Sequence, residues 1–201
     1  MMRLGGFLVA LLAPALAACV NYALVDPGRT TVRGELSVAS TIAWNKQRKI
    51  MLPDDEIVLS NPAVEVWTQD GTEVDQLVFY VGVEDGEPLM RGRISRDLPR
   101  FRRDMSASEV AELFEATLVG GLGAIGLERR ELKPARFAGG EGFRLRLGFT
   151  LDDEVERELV ATGTVREGKL YLIAWLGTRL YHFEHYLPEF EVIAASARIN
   201  F

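Results

Sequence analysis

Four groups of side chains in this chain have types and spacings that suit chemistry. His182 and His185 stand three apart in YHFEHYLPEF, so on a helix both imidazoles would share one face and could meet one metal ion. The spacing places no third ligand, and zinc centres use three or four protein ligands; no metal is expected. Gly121, Gly123 and Gly126 in GLGAIG repeat the glycine spacing of a dinucleotide-binding turn. Such a turn must follow a strand and open a helix, because the helix N-terminus holds the pyrophosphate. Here the stretch ends a helical pattern and begins a strand pattern, which makes Gly120 and Gly121 a C-cap and gives no reason to expect a cofactor. The carboxylates of LDDEVERE (151–158) sit in a run with turn character. No Gly-x-Ser-x-Gly elbow or Ser-x-x-Lys motif occurs in the chain, so no enzymatic activity is expected.

The fourth group is basic. Arg91, Arg93, Arg96, Arg100, Arg102 and Arg103 fall within thirteen residues, with Asp97 the one acid in that span. Guanidinium forks suit phosphate and carboxylate groups. The cluster is therefore a candidate docking patch for a lipid head group or an acidic envelope protein, against the plainer reading of a solvated loop.

Cys19 is the chain's one cysteine. Ahead of it, Arg3 is the only charge before Asp26, and Leu4 to Ala15 form an apolar run. As a helix those residues would span about 18 Å against a hydrocarbon core of about 30 Å, too short for a comfortable crossing. A positive start, a short apolar stretch and small residues at its end describe an export signal. Leu16-Ala17-Ala18-Cys19 resembles the lipobox of bacterial lipoproteins. That resemblance implies cleavage before Cys19 and acyl chains on its sulfur and new amino group. At about 0.8 kcal/mol per buried methylene, several chains make attachment effectively permanent. Val20 stands where lipoproteins kept in the inner membrane commonly have aspartate, so the resemblance implies an outer-membrane anchor facing the periplasm. Exported proteins pair their structural cysteines; an acylated Cys19 leaves no free thiol.

The formal charge of −6 argues against a duplex nucleic-acid partner, which needs a basic face to displace counterions. The 201 residues suit one domain. The expected division is a signal peptide over 1–18, a flexible tether over 19–35 and a single periplasmic domain over 36–201. The tether segment contains Pro27, Gly28 and Gly34 and no sustained period. As a flexible coil of about 17 residues it would reach roughly 23 Å.

Within the domain, LSVASTIAW (36–44), AVEVWTQ (63–69) and DQLVFYVGVE (75–84) read as strands, the last central because it is apolar on both faces. SASEVAELFEATLVGG (106–121) reads as a helix with Ser106 and Glu109 as its capping box. Four strands follow near 125–137, 142–151, 156–167 and 169–179. In GFRLRLGF, Phe143, Leu145, Leu147 and Phe149 alternate with Arg144 and Arg146, so one face is buried and the other wet or salt-bridged. The C-terminal stretch reads as helical, with a break where Pro188 opens a second segment. This order is α+β: an antiparallel sheet of about seven strands flanked by helices.

The segment YHFEHYLPEFEVIAASARI after an antiparallel meander is similar to the Mog1/PsbP-like fold, although Ser196-Ala197 stands where that family commonly has serine-phenylalanine. The resemblance implies a domain that serves in assembly and binding rather than a reaction. The function expected is a membrane-tethered, non-catalytic binding or assembly module. The alternatives are a carrier of a lipid or other apolar ligand, which needs a cavity, and an envelope enzyme. Cys19→Ser should leave an unprocessed or untethered precursor, read as loss of metabolic fatty-acid labelling; equal labelling of the variant would refute the anchor.

Overall fold

The computed structural model describes residues 22–48, 61–90 and 98–200. The expected signal peptide, Cys19, Arg91, Arg93 and Arg96 lie outside the described residues. Among the described residues the elements are β1 (Tyr22–Val25), β2 (Gly28–Val32), β3 (Leu36–Ser40), β4 (Trp44–Gln47), β5 (Val64–Thr68) and β6 (Asp75–Val83). There follow α1 (Ala107–Thr117) with a π-helical turn (Leu118–Leu122), β7 (Ile125–Phe137), β8 (Gly140–Thr150), β9 (Glu156–Arg166), β10 (Lys169–Thr178), α2 (His182–Ser196) and β11 (Arg198–Ile199). They form an antiparallel sheet of eight strands, ordered β1-β4-β5-β6-β10-β9-β8-β7, and a small sheet ordered β11-β3-β2.

β6 and β10 occupy the centre of the large sheet, as their two-sided apolar sequences require. Leu77, Phe79, Ile173 and Trp175 point to one core; Val66, Tyr80, Leu172 and Ala174 point to the other. α2 and the small sheet cover the first face, supplying Phe183, Phe190, Ile193, Val32, Leu36 and Val38. α1 covers the second with Val110, Leu113 and Phe114, and the π-helical turn adds Leu118. Its capping box forms as expected: Glu109 N–H donates to Ser106 Oγ at 3.3 Å and Ser106 N–H to Glu109 Oε2 at 2.8 Å.

α2 is fixed to the sheet in three ways. Trp175 Nε1 donates to the Phe183 carbonyl at 3.0 Å. Gly177 brings β10 so close to the helix start that a Cβ there would lie 2.7 Å from the Phe183 nitrogen. Arg144 and Arg146, on the polar face of β8, reach Glu191 at 2.5 Å and Glu184 at 3.1 Å. The alternation in GFRLRLGF therefore marks an ion-paired face.

The structure corrects four expectations. Residues 22–25 and 28–32 are strands, not tether: β1 pairs with β4 and β2 with β3, so cross-strand bonds hold what no local period announced. LSVASTIAW is not one strand. It breaks at 41–43 and passes from the small sheet to the large one, held there by Glu189 of α2, which accepts from Thr41 N–H at 2.7 Å and from its hydroxyl. Pro188 lies inside a continuous α2; the carbonyl its missing N–H would have bonded belongs to exposed Glu184, where water can serve it. Finally, the left-handed residue ending the first helical segment is Gly123, at φ 71°, because the π-helical turn extends past Gly120 and Gly121.

Trp175 is fully buried and its ring packs edge-on against Trp44 at 6.0 Å and Tyr186 at 5.8 Å. Trp175→Ala should lower unfolding free energy by about 3–5 kcal/mol, measured by denaturant titration; an unchanged midpoint would refute its place in the core.

Candidate functional site

α1 packs over β7 and β8, and Phe114 reaches inward to Tyr80, the rings T-shaped at 5.7 Å. Between α1, the π-helical turn and the sheet lies a cleft of about 550 Å³. Leu159, Ala174, Val78 and Val66 form its floor across four adjacent strands, Phe114 and Leu118 form its wall, and Gln47 of β4 bounds the side next to β1. Its volume and mainly apolar lining are those of small-molecule sites, which run from about 300 to 1,000 Å³. Ala174 sits opposite Val78, and Val78 opposite Val66. This row of small side chains leaves the space that larger ones would fill.

Polar groups gather at one end of the cleft: Glu73, Asp152, Asp153 and Arg157; Asp75 borders it too, but its side chain shares the Leu77 and Phe79 face of β6, toward α2. The buried Arg157 guanidinium grips Asp153 with two bonds of 2.8 and 2.6 Å. Those bonds hold the Asp153 carboxyl down at about 2. Asp75, fully buried, accepts from Gln69 N–H and Asp70 N–H at 2.8 Å each and from the Thr68 hydroxyl. Tyr80 has its phenol pushed well above its ordinary value by burial, so it stays neutral at physiological pH. The cleft therefore offers an uncharged apolar interior with charge confined to one rim.

No family model and no curated protein matches the sequence. Among solved structures, the chain is similar to the solution structure of cyanobacterial PsbP (CyanoP) from Synechocystis sp. PCC 6803. The two share 16% identity over 94% of this chain and 99% of that one, with a TM-score of 0.54. The fold is PsbP-like. LpqN of Mycobacterium tuberculosis, described as involved in cell envelope biogenesis, matches at 14% identity over 78% of this chain and 84% of that one, TM-score 0.39. Among the described residues no helix is long and apolar enough to cross a membrane.

The PsbP-like domain places the described members of the arginine cluster together just before α1 and gives each an intramolecular acceptor. Arg100 donates to the Gly86 carbonyl at 2.8 Å. Arg102 reaches Asp104 and Glu109, each at 3.2 Å, and Arg103 reaches Asp85 at 3.3 Å. Asp85, Asp104 and Glu109 all lie outside the 91–103 window in which Asp97 was the one acid. The Arg103 backbone N–H, followed by its side chain, holds the Asp85 carboxyl below its usual range.

The two histidines part company. His182 opens α2 with Nδ1 2.7 Å from the Thr178 hydroxyl, whereas His185 stacks on Tyr181 at 4.8 Å. His182 instead approaches Asp70 and Asp75, the candidate ligand atoms of all three lying within 4.8 Å. The carboxylate of Asp75 already accepts three hydrogen bonds, two of them at Oδ1. Beyond the C-cap, Gly126 lies within β7 with φ 62°, and a helix, not a strand, precedes the glycine run; the order is the reverse of a nucleotide-binding turn.

No motif pointed to the cleft. The one trace of it in the sequence is Ala174, a small residue inside the bulky run LYLIAWL. Because Asp153 is more acidic folded than unfolded, its pair with Arg157 stabilises the fold fully above about pH 4, the unfolded carboxylate value. That contribution fades as pH falls toward 2. Asp153→Asn should therefore melt lower than wild type at pH 7, with the gap closing between about pH 4 and pH 2, as followed by thermal denaturation; a pH-independent gap would show that the ionised carboxylate is not its cause.

Proposed function

We propose that the protein is a membrane-tethered, non-catalytic binding module of the bacterial envelope, anchored through acyl chains on Cys19, whose cleft between α1 and the sheet takes an apolar ligand. The observation that carries this reading is the cleft itself: about 550 Å³, floored by apolar side chains from four strands and charged only at one rim. Ligand sites of this kind gain most of their affinity from apolar burial and use a few polar groups for orientation. Of the two binding readings, carrier of an apolar ligand and docking surface for an anionic partner, the geometry favours the first, since Arg100, Arg102 and Arg103 already have acceptors within the domain. The anchor rests on the resemblance of Leu16 to Cys19 to a lipobox, and an outer-membrane location facing the periplasm goes with it.

Val78 is half-buried on the cleft floor, so Val78→Trp should fill the space. Overpacking of this sort costs about 1–3 kcal/mol, which the melting temperature will report. The full chain should bind a fluorescent fatty-acyl probe at one per protein and release a comparable amount of lipid on solvent extraction. Val78→Trp should remove both while the protein stays folded. A wild-type chain that binds no probe, or a folded variant that binds it equally, would refute the cleft as the site.

A further inference from the structure

β1 connects the cleft to the anchor. It is the outer strand of the large sheet, with β4 its one neighbour among the described residues, and Tyr22 stands directly opposite Gln47. Residues opposite each other on paired strands share a face. Gln47 lines the cleft, so Tyr22 is on the cleft side of the sheet. Leu24 is two residues on, hence on the same side, and it is 68% exposed. Val25, on the other side, packs into the opposite core.

Cys19 precedes Tyr22 by three residues. A chain of that length spans at most about 11 Å even when fully extended. An acylated Cys19 therefore cannot stand the domain off from the bilayer as a tether over 19–35 would have done. It holds the β1 edge against the head groups. The opposite edge, β7, is seven strand spacings away, about 33 Å across the sheet.

We infer that the domain sits on the membrane by its β1 edge, Tyr22 and Leu24 against the lipid, and that the cleft takes its occupant from that same membrane: a single acyl chain of a bilayer lipid. The inference rests on the Cys19 anchor and on the cleft as ligand site. Its own content is the orientation and the source of the ligand. An exposed leucine beside the anchor gains from the bilayer's apolar interior. From Gln47 the cleft floor continues inward over Val66 and Val78 to Ala174, so an acyl chain that passes Gln47 meets an apolar surface.

The test uses the full-length acylated protein on phosphatidylcholine vesicles doped with phosphatidylcholine carrying a photoactivatable group midway along one acyl chain. After illumination, crosslinked peptides are mapped by mass spectrometry. Label is expected on the peptide containing residues 22–25 and on cleft peptides containing Val78 and Leu118, and none on the β7 peptide containing Lys133. Leu24→Glu, a change at an exposed position, should abolish label on residues 22–25. Val78→Trp should abolish label in the cleft and spare residues 22–25. Label on β7 in place of β1 would overturn the orientation, and an unlabelled cleft beside a labelled β1 would overturn the lipid as ligand. Both outcomes leave the anchor standing. Wild-type protein that fails to sediment with the vesicles, or a Cys19→Ser variant that sediments equally well, would overturn the anchor and this inference with it.

Discussion

The pairing of β6 with β10 is the constraint on which the other layers depend. Phe79 stands opposite Ile173, Val78 opposite Ala174 and Leu77 opposite Trp175, so the ladder aligns two strands that are apolar on both sides. Neither face of such a pair can be left to water, and the chain must supply a cover for each. A slip of β10 by one residue would exchange its faces, sending Trp175 toward α1 and Ala174 toward α2 while β6 kept its own. The register therefore decides which helix meets large side chains and which meets small ones.

The consequences differ on the two sides. On the tryptophan side, Trp44, Trp67 and Trp175 build a dense aromatic core, and α2 is held to it by the Phe183 carbonyl, by the close approach at Gly177 and by the arginines of β8. Deep in that polar face, Glu158 accepts from Arg146 at 2.6 Å and from Arg130, with Arg179 at 3.6 Å. Three guanidiniums around one buried carboxylate satisfy a charge that would otherwise be costly to remove from water. On the alanine side the sheet surface is lower, α1 rests toward β7 and β8, and space is left over β5 and β6. One face of the domain is thus built as a packed support and the other as a receptacle.

Edge placement gives the receptacle its setting. The strand nearest the candidate anchor is also the strand whose partner bounds the cleft, so anchoring and ligand access fall on the same side of the molecule. The charged groups at the cleft's far rim and the ion-paired arginines before α1 lie in neighbourhoods where each has an acceptor on the domain itself, as with Asp153 for Arg157 and Asp85 for Arg103. The exposed pairs before α1 add little stability, whereas the Arg157 guanidinium is buried. The effect of these pairs is to leave the apolar floor as the chemically distinctive surface.

The sequence by itself determined the elements whose signals are local. The capping box and apolar stripe marked α1, alternation marked β8, a two-sided apolar run marked β6 as central, and the closing segment resembled the PsbP-like fold that the structure bears. Tertiary structure decided everything that depends on residues far apart. Tyr22–Val25 became a strand only because β4 lies beside it, and LSVASTIAW broke only because Glu189, 148 residues later, captures Thr41. Of the arginine cluster, Arg102 and Arg103 pair with Asp104, Glu109 and Asp85, acids that a window along the chain does not contain. The cleft had no pattern at all. It exists because small side chains on β5, β6 and β10 come into one row under a helix that packs elsewhere, and empty volume is a property of the gap between elements, which no single stretch of sequence encodes.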